Sequence, residues 1–219
     1  MISLIIKPDE IAVPAGSVVK VPASWQDYQS MAERLGDCPQ PRLKYRQGEL
    51  LFMVPLPEHG KQLDVIVDMV KVLLRHRGLS FDSYHETTLD LPEVSGIIPD
   101  HFFYIGELPV VGKQRIDWQT DPPPDLAIEC DITSFTSVDD YLPYQIPELW
   151  IIRRRQISIY TLQAKQYQLA TESLFFPGLD LNAIYQTCLD DAYRIGSAAI
   201  DRLEDQFPRQ LKNSNLLEN

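Results

Sequence analysis

Two short stretches of this chain hold acids where an extended backbone would present them side by side. The first is Leu126-Ala127-Ile128-Glu129-Cys130-Asp131-Ile132, approached through Asp121-Pro122-Pro123-Pro124-Asp125. Proline cannot donate to a sheet ladder, so the prolines stiffen the chain up to the point where a strand begins. Alternate side chains of a strand share a face. Leu126, Ile128, Cys130 and Ile132 therefore fall on one face, and Asp125, Ala127, Glu129 and Asp131 on the other. Carboxylates are poor strand formers, so such a row is either a solvated outer face or a site. The second stretch is Ile97-Ile98-Pro99-Asp100-His101-Phe102-Phe103-Tyr104-Ile105, read as one strand in which Asp100, Phe102 and Tyr104 share a face. Two strands that each offer a carboxylate can gather oxygens around a hard divalent cation, since Mg²⁺ takes few carboxylates and fills its octahedral shell with water. Without a cation or a shared proton, acids held that close repel, and one of them carries a raised pKa.

The flanks narrow the chemistry. Arg42-Leu43-Lys44-Tyr45-Arg46-Gln47-Gly48-Glu49-Leu50 and Met53-Val54-Pro55-Leu56-Pro57-Glu58-His59 precede a helical pattern, and Ile146-Pro147-Glu148-Leu149-Trp150 follows the acidic stretch. Pro99-Asp100, then Glu129 with a charged residue two positions on, resembles the PD-(D/E)xK nuclease superfamily. From about Ser24 to Asp180 the chain is similar to a bacterial family of restriction-endonuclease-like proteins, numerous in photosynthetic bacteria. The most specific pieces run from Pro123 to Ser134 and from Ile146 to Trp150.

The resemblance implies an α/β (α+β) fold, a mixed β-sheet core flanked by helices, and a metal-dependent DNA endonuclease that hydrolyses phosphodiester bonds. It implies Asp100, Glu129 and Asp131 as catalytic acids, with Mg²⁺ or Mn²⁺ held by Asp100, Glu129 and the carbonyl of Cys130. Such a cation lowers the pKa of a bound water and polarises the scissile phosphate. His59 takes a supporting place near the metal, and Glu58 is either a further ligand or a charge that suits the first turn of a helix. Three positions depart from the family: Gly60 stands where Glu is frequent, Phe135 where a basic residue is common, and Asp131 where the superfamily keeps a lysine. That lysine orients or deprotonates the water and steadies developing charge. A carboxylate cannot do so, which makes Asp131 an extra metal ligand or leaves the cation to come from elsewhere. Lys44, Lys61 and Lys113 are candidates for it. Lys113 and Arg115 in the long connection, and the run Arg153-Arg154-Arg155, are either solvated charges or phosphate contacts.

The elements that must position these residues follow from pattern. Ser24 caps a helix over Trp25 to Leu35, stopped by Gly36. Leu43 to Tyr45 and Leu50 to Val54 read as strands about a turn at Gln47-Gly48. Leu63, Ile66, Val67, Val70, Leu73 and Leu74 recur at helical spacing from Pro57 to Arg77, which predicts the helix that packs on the sheet. Leu79 to Leu91 gives a strand or two, 106–124 a loop, 133–144 an irregular or helical connection, and 147–152 a buried strand. A hairpin follows over 156–160 and 167–170, and two helices over 179–189 and 192–207. Met1 to Lys7 reads as a strand and Lys212 to Asn219 as a frayed tail. The division expected is an N-terminal strand extension (1–23), a restriction-endonuclease-like core (24–178) and a C-terminal helical extension (179–219).

Composition constrains partners. The chain has 219 residues and a formal net charge of −11, which opposes general nucleic-acid binding, because that affinity comes from basic side chains meeting phosphates. The acidity keeps open a second reading, a catalytically weakened nuclease fold serving as a binding or assembly module. A third, a glycosidase with two acids flanking a glycosidic bond, lacks a sugar-stacking aromatic cluster. Three widely spaced cysteines, Cys38, Cys130 and Cys188, form no zinc or disulfide pattern and suit a reducing cytoplasm. No apolar run reaches the ~18 residues of a membrane span. Cutting both strands of a duplex requires two sites related by a two-fold axis, which implies a homodimer.

Overall fold

The computed structural model describes residues 16–36, 41–46, 48–54, 56–85, 87–91, 95–132 and 136–209. The strand expected over Met1 to Lys7, the frayed tail, Cys38 and Phe135 lie outside the described residues.

Two sheets organise these residues. Strands β1 (Val18–Pro22), β2 (Arg42–Arg46), β3 (Glu49–Met53), β5 (Leu89–Leu91) and β6 (Ser95–Ile97) form one, in the order β1-β3-β2-β6-β5. All its pairings are antiparallel. Strands β4 (Phe81–His85), β7 (His101–Ile105), β8 (Leu126–Asp131), β9 (Glu148–Arg153), β10 (Gln156–Gln163) and β11 (Gln166–Ala170) form the other, in the order β11-β10-β9-β8-β7-β4. The β8–β9 pair is parallel and its neighbours antiparallel, so this sheet is mixed and the class is α+β.

The stretch Ile97 to Ile105, expected as one strand, is two. It is broken at Ile98-Pro99-Asp100, and β6 and β7 belong to different sheets. Pro99 has no N–H to offer a ladder, so the chain crosses between sheets there. Asp100 sits at the crossing.

Helix α2 (Pro57–His76) lies on the mixed sheet. Pro57 begins it without a side-chain cap, where the missing N–H costs nothing. Its buried residues Leu63, Ile66, Val70, Leu73 and Leu74 pack with Leu126, Ile128, Cys130 and Trp150. Helices α3 (Leu181–Ile195) and α4 (Ala198–Gln206) share that core through Tyr185, Leu189, Ala199 and Leu203. They divide at Gly196, later than the pattern suggested. Its positive φ of 65° is a conformation that glycine adopts without strain. On the other face, Phe102, Tyr104, Ala127, Leu149 and Ile151 pack with Tyr141, Tyr144 and Ile146. Every residue of β8 is buried. The acid row is thus no solvated face, because the five-stranded sheet covers it.

Helix α1 (Trp25–Leu35), capped reciprocally by Ser24 and Asp27, packs Tyr28, Met31 and Leu35 against Leu43, Tyr45, Leu50 and Phe52. Alternation then turns Arg42, Lys44 and Arg46 of β2 to the opposite face, towards the acids.

The Ile-Pro-Glu-x-Trp segment has a structural task. Glu148 is fully buried and accepts hydrogen bonds from Trp150 Nε1 and Ser173 Oγ at 2.6 Å each, and from the Leu174 N–H at 2.6 Å. Glu148→Ala strands these donors and is expected to cost about 2–3 kcal/mol, to be read from the shift in urea midpoint.

Candidate active site

Asp100 and Glu129 come together because β7 runs antiparallel to β8. The register ends with His101 opposite Ile128, and just before β7 the Asp100 carboxylate turns to accept the Cys130 N–H. Both acids line one cleft of about 190 Å³ between the sheets. They are 5% and 7% exposed.

Asp100 is held from three sides. Arg42 Nη1 donates to Oδ1 at 2.7 Å, the Cys130 N–H donates to Oδ2 at 2.8 Å, and His59 Nε2 lies 2.9 Å from Oδ2. Burial works to raise its pKa, but His59, the Cys130 amide and Arg42 outweigh it and the net shift is downward. Glu129 behaves oppositely. Burial pushes it up to about 8, Lys44 and the Tyr141 hydroxyl pull it down, and Asp100 and Asp131 push it up. Tyr141 donates its hydroxyl proton to Glu129 Oε1. Tyr141 belongs to a 3-10 turn over Val138–Tyr144 whose start is marked by Ser137.

The positive charge comes from the opposite sheet. Lys44, 6% exposed, places Nζ 3.8 Å from Glu129 Oε1 and 3.7 Å from Asp140 Oδ2, and 5.9 Å from the centre of the Tyr141 ring. Arg46 Nη1 is 3.0 Å from Asp140. Asp140 thereby steadies two of the three cations of β2.

Asp131 is occupied differently. It accepts from the Thr136 N–H and Oγ1 at 2.8 Å each, and from Arg153 Nε and Nη2 at 2.9 and 2.7 Å. Arg153 Nη2 also donates to the Thr136 carbonyl at 2.6 Å. The parallel register sets Arg153 beside Asp131, and the arrangement ties the ends of β8 and β9 to the chain at Thr136.

The other residues singled out in the sequence scatter. His59 reaches the site from the first turn of α2. Glu58 is exposed there and accepts from Gln62 Nε2 at 2.9 Å. Lys61 acts electrostatically on Cys188, and so belongs to the face of α2 that meets α3. Lys113 is paired with Asp121 and Arg115 is exposed. Neither lines the cleft. Sequence reasoning missed Arg42, Arg46, Asp140 and Tyr141. The signal for the first two was present, because Arg42, Lys44 and Arg46 alternate along a strand and must share a face.

The residues present fit one hard cation. Among the described residues no group of three or more His, Cys, Asp and Glu side chains forms a cage, but Mg²⁺ needs only one or two carboxylates plus water. Asp100 and Glu129 line one cleft, and burial raises the Glu129 pKa. The N–H and C=O of one strand residue point the same way, so the Cys130 carbonyl is directed to the side on which its N–H meets Asp100. Arg42 and His59 share Asp100 with any such cation.

Comparison with known proteins agrees with this architecture. The model of the Uma2 family, described as "Putative restriction endonuclease", matches residues 25–185. No curated protein sequence matches the chain. Among solved structures, the chain resembles one described as "a putative nuclease belonging to DUF820 from Anabaena variabilis ATCC 29413", with a TM-score of 0.50 at 14% identity over 74% of this chain and 98% of that one. At that identity the likeness establishes the fold. No helix among the described residues is long and apolar enough to cross a membrane. With the family model covering most of its length, this chain belongs to the Uma2 family of restriction-endonuclease-like proteins.

Proposed function

We propose that the protein is a divalent-cation-dependent nuclease that hydrolyses phosphodiester bonds in DNA, with Asp100, Glu129 and the Cys130 carbonyl as the cation's ligands and Lys44 as the catalytic cation. One observation carries this reading: Asp100 and Glu129 line one cleft, and a buried lysine from the opposing sheet lies 3.8 Å from Glu129 there. Mg²⁺ or Mn²⁺, when bound, supplies Lewis acidity and an acidified water. The protein's own groups do the rest. His59 and the Cys130 amide fix the rotamer of Asp100, and Tyr141 fixes that of Glu129. Asp140 holds Lys44 where its ammonium can meet negative charge developing on the phosphate, the task for which the superfamily uses a lysine beside the glutamate. In this reading Asp131 is structural.

The competing reading, a nuclease fold retained for binding or assembly, has one observation in its favour. Arg42 already occupies Asp100 Oδ1 at 2.7 Å, a position that a cation would contest.

Two measurements decide. Millimolar Mn²⁺ is expected to raise the melting temperature at neutral pH by binding the native state, and an unchanged melt would sink the metal site. Lys44→Met is expected to keep that shift yet slow cleavage of labelled DNA by about 10²-fold. A variant as fast as wild type would remove Lys44 from the reaction.

A further inference from the structure

We propose that the cleft takes a single DNA strand in preference to a double helix, with the cation row of β2 and Lys20 of β1 as the track for its phosphates. This rests on the nuclease reading above. Arg42, Lys44 and Arg46 alternate on one face of β2, about 6.8 Å apart at the rise of an antiparallel strand, a spacing suited to successive phosphates of one strand. Across the sheet, Lys44 pairs with Leu51 of β3, which pairs with Lys20 of β1. Lys20 is exposed and lines the cleft, so the row continues from the buried acids to the rim.

Space favours one strand. The cleft, of about 190 Å³, is lined by both sheets. Asp100 and Glu129 lie inside it under the face of the other sheet. A phosphate must enter the cleft to reach them, which a flexible strand can manage and a paired, stiff helix cannot.

The lining agrees. Val18, Met53, Leu56, Ile98 and Ile132 give the cleft an aliphatic wall. An unpaired strand can turn its sugars and bases to such a wall, whereas a duplex keeps its bases stacked inside.

Charge points the same way. A duplex brings one negative charge per ~1.7 Å of its axis towards a chain of net charge −11, about twice the line charge of a single strand. A single strand needs only one catalytic site, so the two-fold dimer implied for duplex cutting is not required.

The test measures binding and cleavage separately. Fluorescence anisotropy of the full chain in EDTA, with a labelled oligonucleotide alone or annealed to its complement, is expected to show the single strand bound about tenfold more tightly or better. Lys20→Ala should lower the slope of log K against log salt for the single strand by about 0.7, one phosphate contact, with its melting temperature unchanged because Lys20 is exposed. Equal affinity for the duplex, or an unchanged slope in Lys20→Ala, overturns the proposal. With Mn²⁺, a duplex carrying a single-stranded overhang should be cut in the overhang only. Cutting within the paired part at the same rate overturns the strand preference and leaves the nuclease reading intact. Tight, Lys20-dependent binding of the single strand without any cutting supports the track and removes the nuclease reading.

Discussion

Glu129→Gln is expected to lower cation-dependent cleavage by about 10³-fold or more and, without metal, to remove the loss of stability that Glu129 causes as pH rises towards 8. The first effect follows if Glu129 is a cation ligand, because metal stabilisation of a phosphoryl transition state is worth several kcal/mol at roughly 1.4 kcal/mol per factor of ten. The second follows from burial. In the unfolded chain the Glu129 carboxyl titrates at its ordinary value of 4.5, and in the folded protein burial holds it up at about 8. Between these values the native state keeps a proton that the unfolded state has released. Stability then falls as pH rises through that window and levels off above it, by on the order of a few kcal/mol. Glutamine keeps the shape and cannot ionise, so the variant loses this fall, while His101, which burial holds down at about 3, still makes stability rise with pH up to its ordinary value of 6.5. Divalent cation acts oppositely in wild type, because it favours the carboxylate and restores stability at neutral pH. A variant that cleaves within tenfold of wild type would remove Glu129 from the chemistry, and a parallel pH profile would place the titrating group elsewhere.

Asp131→Lys is expected to destabilise the fold by about 2–3 kcal/mol, the cost of stranding the buried Thr136 donors and setting a second cation beside Arg153. In sequence terms this change restores the superfamily's Glu-x-Lys, and Asp131 at that position invites the expectation of a faster enzyme. The structure argues the reverse. The Asp131 side chain is 1% exposed and meets Arg153 at 2.7 Å, while Thr136 donates to both of its oxygens. A lysine there would face the Arg153 guanidinium and leave the Thr136 amide and hydroxyl without their acceptor. Chemical denaturation of Asp131→Lys beside Asp131→Asn measures the cost. Wild-type stability together with a higher cleavage rate in Asp131→Lys would show that the position faces the substrate.

Much of this was legible in the chain. Helix α2 is written in the three- and four-residue recurrence of its apolar residues, and α1 in Ser24 and Asp27. Strand β8 is written in its alternation, which also sorted Leu126, Ile128 and Cys130 from Glu129 and Asp131. Pro99-Asp100 and Glu129 were visible as a pair of acids at strand positions because local periodicity fixes which way a side chain faces. The split of Ile97 to Ile105 between two sheets was not visible, although Pro99 marked it. A proline shows where a ladder must stop and not which sheet the next strand will join.

The sequence by itself determined most of the strands and helices, the facing of their side chains and the family resemblance, since these depend on neighbours along the backbone. Only the tertiary structure decided that Lys44, 85 positions before Glu129 in the chain, brings its ammonium to 3.8 Å from the Glu129 carboxylate. It alone decided that Arg153 claims Asp131 and that Arg42 and His59 converge on Asp100. Spacing in sequence carries no information about contacts between sheets, because those are set by how apolar faces on α1, α2 and both sheets bury one another. The acids were therefore readable, and the cations that answer them were not.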